Sequence, residues 1–250
     1  MGLGLGTSLS KGGLATPGIV TDSLVLKHNY ASGGVSLVSE GAALFDGTDD
    51  YITIADAANL SFVDGSGDDT AFSISAWINA NDATNFNVLF KDTEYQFYLN
   101  ASDKLTLLLE DETGGAGLEY SYSTQTIGEN SWTHVACTYN GVGGTSASGG
   151  IKLYIDGVSV ALTATGSGTY VDMENSSNAV TIGKSGSAYA DGHICNVGLW
   201  SAVLTEAQIK SIMWKNYAGL ASTETTNLVS WWNLSANAND DHGSNNGTLS

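Results

Sequence analysis

The chain has 250 residues, of which 42% are hydrophobic and 14% charged, and its 31 glycines against a single proline predict many turns. This length fits one large domain or two small ones, and either is big enough to bury a core. The net charge of −18 comes from 26 acidic residues and eight basic ones, all lysines. It argues against a nucleic-acid partner, because phosphate backbones require a positive surface.

The sequence shows no membrane or export signal. No run of apolar residues approaches the roughly 20 that a membrane-spanning helix needs, so we expect no membrane insertion. The first ten residues lack the basic and continuous apolar regions of a signal peptide. The two cysteines, Cys137 and Cys195, lie in predicted strands and cannot form a disulfide scaffold. Two buried thiols are favoured over a bridge.

Residues 1–34 are the first segment in chain order. They alternate glycine with leucine, valine and serine and show no helical period. Because glycine-rich runs lose much entropy on ordering, we predict an extended N-terminal arm that needs its own domain or a neighbouring chain to hold it. One strand is predicted within the arm, at residues 23–30.

The globular part is predicted to begin near Val35 and to consist of short strands. The clearest strand contains Phe72, Ile74, Ala76 and Ile78 on one face. Further strands are predicted at residues 43–46, 51–54, 87–91, 95–99, 105–109, 118–121, 132–139, 151–155, 158–162, 180–183 and 193–200. Turns rich in Gly, Asn and Asp separate them, which suits a two-sheet antiparallel β-sandwich.

One short helix is predicted near the C-terminus. Thr205 is suited to cap its N-terminus, and Gln208, three residues later, completes a capping box. The stripe of Ile209, Ile212 and Met213 is expected to be buried.

Three separated phrases resemble the laminin-G-like, or concanavalin-A-like, jelly roll. They read F-D-G-T-D-D-Y-I (45–52), W-T-H-V-A-C-T-Y-N-G followed by L-Y-I-D-G (132–157), and D-G-H-I-C-N-V-G-L-W continuing to the helix (191–209). The resemblance spans roughly residues 41–213 and implies an all-β jelly-roll domain at residues 35–220. Cys195 and Asn196 replace two acidic residues that are usual in the third phrase.

The C-terminal segment, residues 221–250, resembles the phrase that normally precedes the first strand of this family. It contains L-V-S-W-W-N-L and ends in G-S-N-N-G-T-L-S. Two interpretations follow: the segment completes the same sandwich in permuted order, or it pairs with a neighbouring subunit. The first is favoured, because Trp231 and Trp232 need a nearby apolar surface.

Enzymatic activity is not predicted. Jelly rolls of this shape include glucanases, which need two carboxylates flanking the scissile bond. The nearest approach is Glu110-Asp111-Glu112, in which only Glu110 and Glu112 share a face and a turn follows at once. A solvated strand end is the favoured interpretation. His134 is interpreted as structural, since the resemblance places it in a strand that packs the sandwich.

Calcium is the one cofactor expected, and no other is predicted. Acidic turns occur at residues 46–50, 64–69 and 240–241, and such turns supply the carboxylate and carbonyl oxygens that calcium prefers. Asp46, Asp49 and Asp50 are the predicted ligands. The alternative is that these turns are simply solvated.

Surface aromatic residues are the candidates for contact with a glycan, since an aromatic ring stacks on the apolar face of a pyranose. Trp77 lies opposite the apolar face of its strand, and Tyr120, Tyr122 and Tyr189 are expected beside loops. Half-buried strand positions are the alternative explanation for the tyrosines.

The predicted function is a non-catalytic structural protein on the exterior of a bacteriophage virion, a capsid decoration or tail-appendage subunit with an adhesive jelly roll. The arm and the phrase G-A-A-L-F-D-G-T-D-D-Y-I resemble virion proteins of marine phages. The expected partners are other virion proteins or copies of the same chain bound through the arm, in a homo-oligomer, and surface glycans. The alternative is a carbohydrate-binding adhesin or lectin domain.

Overall fold

A computed structural model describes residues 41–112 and 117–250 of the chain. The predicted N-terminal arm at residues 1–34, its strand at 23–30 and the domain boundary at Val35 lie outside the described residues. Regular structure in the described part is almost entirely β-strand, and no helix there is long and apolar enough to cross a membrane.

The strands are short and are separated by turns. In chain order they are β1 (Ala43–Asp46), β2 (Ile52–Ile54), β3 (Phe72–Asp82), β4 (Asn87–Lys91), β5 (Tyr95–Leu99), β6 (Lys104–Asp111), β7 (Gly117–Thr126), β8 (Thr133–Tyr139), β9 (Ile151–Ile155), β10 (Val158–Ser159), β11 (Leu162–Ser167), β12 (Val180–Ile182), β13 (Lys184–Ser185), β14 (Ala188–Tyr189), β15 (Asp191–Trp200), β16 (Leu228–Trp232) and β17 (Gly247–Leu249). In the described residues, one α-helix, α1 (Glu206–Ile212), and three 3₁₀ segments accompany the strands, at Ala58–Leu60, Gly144–Gly150 and Tyr217–Gly219.

The strands form two large antiparallel sheets. The first has the order β1-β15-β3-β8-β9-β10, with β16 also paired to β15. The second has the order β11-β7-β6-β5-β4-β12-β2-β17, and β13 and β14 form a separate hairpin. The structure confirms the predicted all-β, two-sheet antiparallel sandwich with one short C-terminal helix.

The hydrophobic core lies between the two sheets, where alternate residues of each strand meet. As predicted for β3, Phe72, Ile74, Ala76 and Ile78 are all fully buried in it. Cys137 also belongs to this core, whereas Cys195 is buried on the other side of the first sheet, and within the described residues the two are not joined by a disulfide.

The helix begins as the sequence predicted. Thr205 Oγ1 accepts the Gln208 N–H at 3.2 Å, and Gln208 Oε1 accepts the Thr205 N–H at 2.9 Å. Ile209 and Ile212 are buried with Trp200 and Trp231 in a second apolar cluster, and Met213 is buried beside Trp77. The helix therefore covers part of the outer face of the first sheet.

The C-terminal segment contributes one strand to each sheet of its own chain. β16 pairs with β15, and β17 pairs with β2 at the edge of the second sheet. Asp240 organises the connection, because its carboxylate accepts the N–H groups of Trp231, Gly243 and Asn245. Trp232 is fully buried and donates its indole N–H to the Asn245 carbonyl at 2.8 Å.

A buried lysine fixes the segment before β12. Lys91 is fully buried, and its ammonium donates to Asp56 Oδ1 at 2.8 Å and to the Asn178 carbonyl at 2.7 Å. It also lies 3.1 Å from the buried Glu94 carboxylate, which accepts the Ser176 N–H. These bonds offset the cost of removing the charge from water and tie residues 176–178 to β4.

Several predicted strand boundaries were wrong, and two predictions differ most from the structure. The strand predicted at residues 118–121 extends over Gly117–Thr126, and the one predicted at 158–162 is two strands. β10 pairs with β9 in the first sheet, whereas β11 pairs with β7 in the second. The chain therefore crosses between the sheets at residues 160–161. The alternation of apolar residues in the sequence does not reveal such a crossing.

Candidate functional site

The outer face of the second sheet presents a row of large side chains. Strand pairing aligns Tyr120 of β7 with Leu108 of β6, Leu108 with Gln96 of β5, and Gln96 with Phe90 of β4. The neighbouring positions of these strands point into the core, so the row points away from it. All four side chains are half-buried.

A second row runs beside the first on the same face. It aligns Tyr122 with Thr106 and Thr106 with Tyr98. The rings of Tyr120 and Tyr122 are stacked, with centroids 6.4 Å apart and planes inclined by 29°. We call this surface the aromatic face and define it by its six half-buried residues, Phe90, Gln96, Tyr98, Leu108, Tyr120 and Tyr122.

The aromatic face carries two polar groups, the Gln96 amide and the Tyr98 hydroxyl, and the first is held in a fixed position. Gln96 Nε2 donates to Asn87 Oδ1, and Asn87 Nδ2 donates to the Asn85 carbonyl at 3.0 Å. Burial, and to a smaller extent Tyr120, raises the pKa of Tyr98 above its usual value. The Tyr98 hydroxyl therefore stays protonated at neutral pH and can both donate and accept a hydrogen bond.

A cleft of about 260 Å³ lies at the Phe90 end of the aromatic face. Its lining includes Asp92, Thr181 and Lys184, and Thr181 pairs with Phe90 in the sheet. The Lys184 ammonium lies 4.0 Å from the centroid of the Tyr51 ring. The cleft therefore combines an aromatic wall with a cation and a carboxylate.

Glu110 lies on the same side of the sheet as the aromatic face. Its strand partner is Leu118, and Asp111 next to it points inward and accepts the Val171 N–H at 2.8 Å. Glu112 lies exposed beyond the end of β6. Burial, followed by repulsion from Asp92 and Glu112, raises the pKa of Glu110. Glu112, the residue of the glucanase-like motif that was expected to share a face with Glu110, therefore lies outside the strand.

The structure brings Asp46, Asp49 and Asp50 together. Each offers a carboxylate oxygen within 4.8 Å of the others. Asp46 Oδ1 accepts the Thr48 N–H at 2.8 Å and the Asp49 N–H at 3.3 Å, and these bonds lower the pKa of Asp46. Asp191 lies beside this turn, in register with Asp46.

The other two acidic turns include carboxylates with structural roles. Asp69 is buried and accepts the hydroxyls of Tyr139 at 2.6 Å and Tyr170 at 2.7 Å, together with the Met173 N–H. Asp240 is buried in the C-terminal connection described above. These two carboxylates already satisfy backbone and hydroxyl donors, so the Asp46 turn remains the better candidate for a cation.

Two aromatic predictions were wrong. Trp77 is buried, because Met213 accepts its indole N–H at 2.6 Å and Trp214 packs on its ring, so it offers no surface to a glycan. Tyr120 and Tyr122 lie within β7 and not beside loops. His134 is buried as expected of a structural residue, with its Nε2 2.8 Å from Ser75 Oγ, and burial lowers its pKa to about 3.

Sequence reasoning missed four of the six residues of the aromatic face: Phe90, Gln96, Tyr98 and Leu108. Phe90, Gln96 and Tyr98 are outward positions of strands that the sequence predicted with correct boundaries. Alternation within Y-Q-F-Y-L places Gln96 and Tyr98 opposite the core residues Tyr95, Phe97 and Leu99. The alternation identifies the outward residues of each strand, but it does not show which strands are neighbours in the sheet. The aromatic face exists only because these strands lie side by side.

Comparison with solved structures places the fold among known jelly rolls. A putative carbohydrate binding protein from Bacteroides ovatus aligns with a TM-score of 0.61 and 20% identity, covering 86% of this chain and 59% of that one. This chain thus spans about three fifths of that protein's length. The enzymatically active domain of bacteriophage CBA120 tailspike protein 2 aligns with a TM-score of 0.41 and 14% identity, covering 83% of this chain and 35% of that one.

Sequence comparison identifies the family. No curated protein sequence matches the chain. A family model described as the concanavalin A-like lectin/glucanases superfamily matches residues 46–210, which is more than half of the chain. The matched range begins at the Asp46 turn and ends within α1, so it includes every strand of the aromatic face. The chain therefore belongs to the concanavalin A-like lectin/glucanases superfamily.

Proposed function

We propose that this chain is a non-catalytic, carbohydrate-binding jelly-roll module that holds a saccharide on the aromatic face. The observation that supports the proposal most is the alignment of half-buried tyrosine, phenylalanine and glutamine side chains across β4, β5, β6 and β7. Membership of a superfamily that contains lectins agrees with it.

The chemistry of the aromatic face suits a sugar ring. A pyranose has apolar C–H groups on its ring faces and hydroxyls around its edge, so it needs flat aromatic surface beside fixed polar groups. The stacked rings of Tyr120 and Tyr122 supply the flat surface. The Gln96 amide, anchored on Asn87, supplies a fixed polar group, and the protonated Tyr98 hydroxyl supplies a second group that can donate and accept.

A glycan microarray tests the proposal. We expect the purified chain to bind a defined subset of saccharides and to leave the chemical structure of a bound saccharide unchanged, because Glu112, the partner of Glu110 in the glucanase-like motif, lies beyond the end of β6. Binding to no saccharide would contradict carbohydrate recognition. Release of reducing ends from a bound saccharide, lost on Glu110→Gln, would instead establish a hydrolase.

We also propose calcium at the Asp46 turn, with Asp46, Asp49 and Asp50 as ligands. Their clustered carboxylate oxygens suit a hard cation. Calcium at about a hundredfold excess over its Kd should stabilise the fold by about 2.7 kcal/mol and raise the melting temperature by about 5–10 °C.

Thermal melts in calcium and in EDTA measure this effect. The double variant Asp49→Asn/Asp50→Asn should lose the calcium response and keep Asp46, which holds the turn. Asp68→Asn, an exposed carboxylate in another acidic turn, is the matched control and should respond like the wild type. Equal melting temperatures of the wild type in calcium and EDTA would show that the turn is only solvated.

The proposed setting is the exterior of a bacteriophage virion, where the module would act as a capsid decoration or tail-appendage subunit in a homo-oligomer. The resemblance of residues 41–52 to virion proteins of marine phages supports this setting. Immunogold labelling of purified particles with an antibody against the chain tests it. Unlabelled particles would leave the alternative, a lectin or adhesin domain outside any virion.

A further inference from the structure

The lysines of the described residues fall into two groups. Three of them form ion pairs with carboxylates at 2.6–3.1 Å: Lys91, Lys210 and Lys215. Among the described residues the other three, Lys104, Lys152 and Lys184, form no ion pair. Lys104 lies over the Tyr122 ring of the aromatic face, and Lys184, which lines the cleft at the Phe90 end of that face, lies over the Tyr51 and Tyr189 rings. In a chain with a net charge of −18, this places two uncompensated cations beside the proposed saccharide.

Of Lys104 and Lys184, Lys184 is better placed to bind an anionic group. Its ammonium lies 4.0 Å from the Tyr51 centroid and 5.1 Å from the Tyr189 centroid, and these two rings are 6.2 Å apart. Cation–π contacts hold an ammonium in place while its N–H donors remain available. Within residues 41–112 and 117–250, the Lys184 ammonium makes no hydrogen bond or ion pair that would use those donors.

A cleft connects the aromatic face with Lys184. Lys184 and Phe90 line the same cleft, and Phe90 ends the row that begins at Tyr120. Asp92 also lines the cleft, so a purely anionic ligand would be repelled on that side. A sugar suits both groups, because its hydroxyls can donate to Asp92 while an acidic substituent accepts from Lys184.

We propose, building on the proposed function, that the aromatic face takes an anionic saccharide whose carboxylate or sulfate group binds the Lys184 ammonium. The surrounding surface of an acidic protein repels such a ligand at long range. Binding therefore depends on a local cation, and Lys184 supplies it between two tyrosine rings.

A microarray of matched saccharide pairs tests the inference. One arm carries galacturonate oligomers beside their methyl esters, and a second carries sulfated galactan oligomers beside the same oligomers after desulfation. The wild-type chain should bind the acidic member of at least one pair about tenfold more tightly. The arm that shows the preference distinguishes a carboxylate from a sulfate as the recognised group.

Lys184→Gln should abolish the tenfold preference for the acidic member, because the ammonium that donates to the carboxylate or sulfate is then missing. Lys152→Gln is the matched control, because Lys152 is an exposed lysine of β9 in the other sheet. Equal binding of acidic and neutral members, or a preference that survives Lys184→Gln, would overturn the inference and leave the proposed function standing. Failure to bind any saccharide would overturn both.

Discussion

Replacing Trp232 by alanine is expected to lower the free energy of unfolding by about 3–5 kcal/mol, which is typical for removing a fully buried aromatic side chain. The Trp232 ring is 0% exposed, and it packs in the core between the sheets although it lies near the end of the chain. The substitution also removes the indole N–H that the Asn245 carbonyl accepts, which loosens the connection to β17. Urea denaturation followed by circular dichroism measures the loss.

Trp132→Ala is the matched control, because the Trp132 side chain is 45% exposed and precedes β8. Trp132→Ala should lower the free energy of unfolding by less than about 1 kcal/mol, as most surface substitutions do. If both variants cost the same, the C-terminal segment is not part of this chain's core in solution. The second interpretation of the segment, pairing with a neighbouring subunit, would then be preferred.

Most of the strands and the α-helix could be predicted from the sequence, whereas the short hairpin of β13 and β14 was not predicted. In β3, alternation placed Phe72 and Ile78 on the buried face, and the capping box located the start of α1 at Thr205. These signals are local, since each depends on residues a few positions apart. The crossing between β10 and β11 was missed, because it depends on which sheet each strand joins and not on the residues of the strands themselves.

The candidate site was predicted less well for the same reason. Tyr120 and Tyr122 were identified as surface aromatics, but Phe90 and Tyr98 become their neighbours only through the register of β4, β5, β6 and β7. Trp77 shows the opposite error. Its outward position in β3 was read correctly, but Met213 and Trp214, which follow α1, cover it from a distant part of the sequence.

The acidic turn at Asp46 was predicted from sequence because its ligands are close in the chain. Asp46 caps the turn through the Thr48 and Asp49 N–H groups, and this geometry brings the three carboxylates together. Asp69 was grouped with the acidic turns for the same sequence reason. The structure gives it a buried role instead, because Tyr139 and Tyr170 reach it from distant strands and loops.

The double variant Tyr98→Ala/Tyr120→Ala provides the most direct test of the claim that the aromatic face holds a saccharide. Each ring should contribute about 1–2 kcal/mol, so the variant should bind the wild-type saccharide about a hundredfold more weakly in calorimetric titration. Both rings are half-buried outside the core, so the melting temperature should change little. Tyr217→Ala, a half-buried tyrosine packed against the cluster beneath α1, should bind as the wild type does. Undiminished affinity of a folded double variant would contradict the claim.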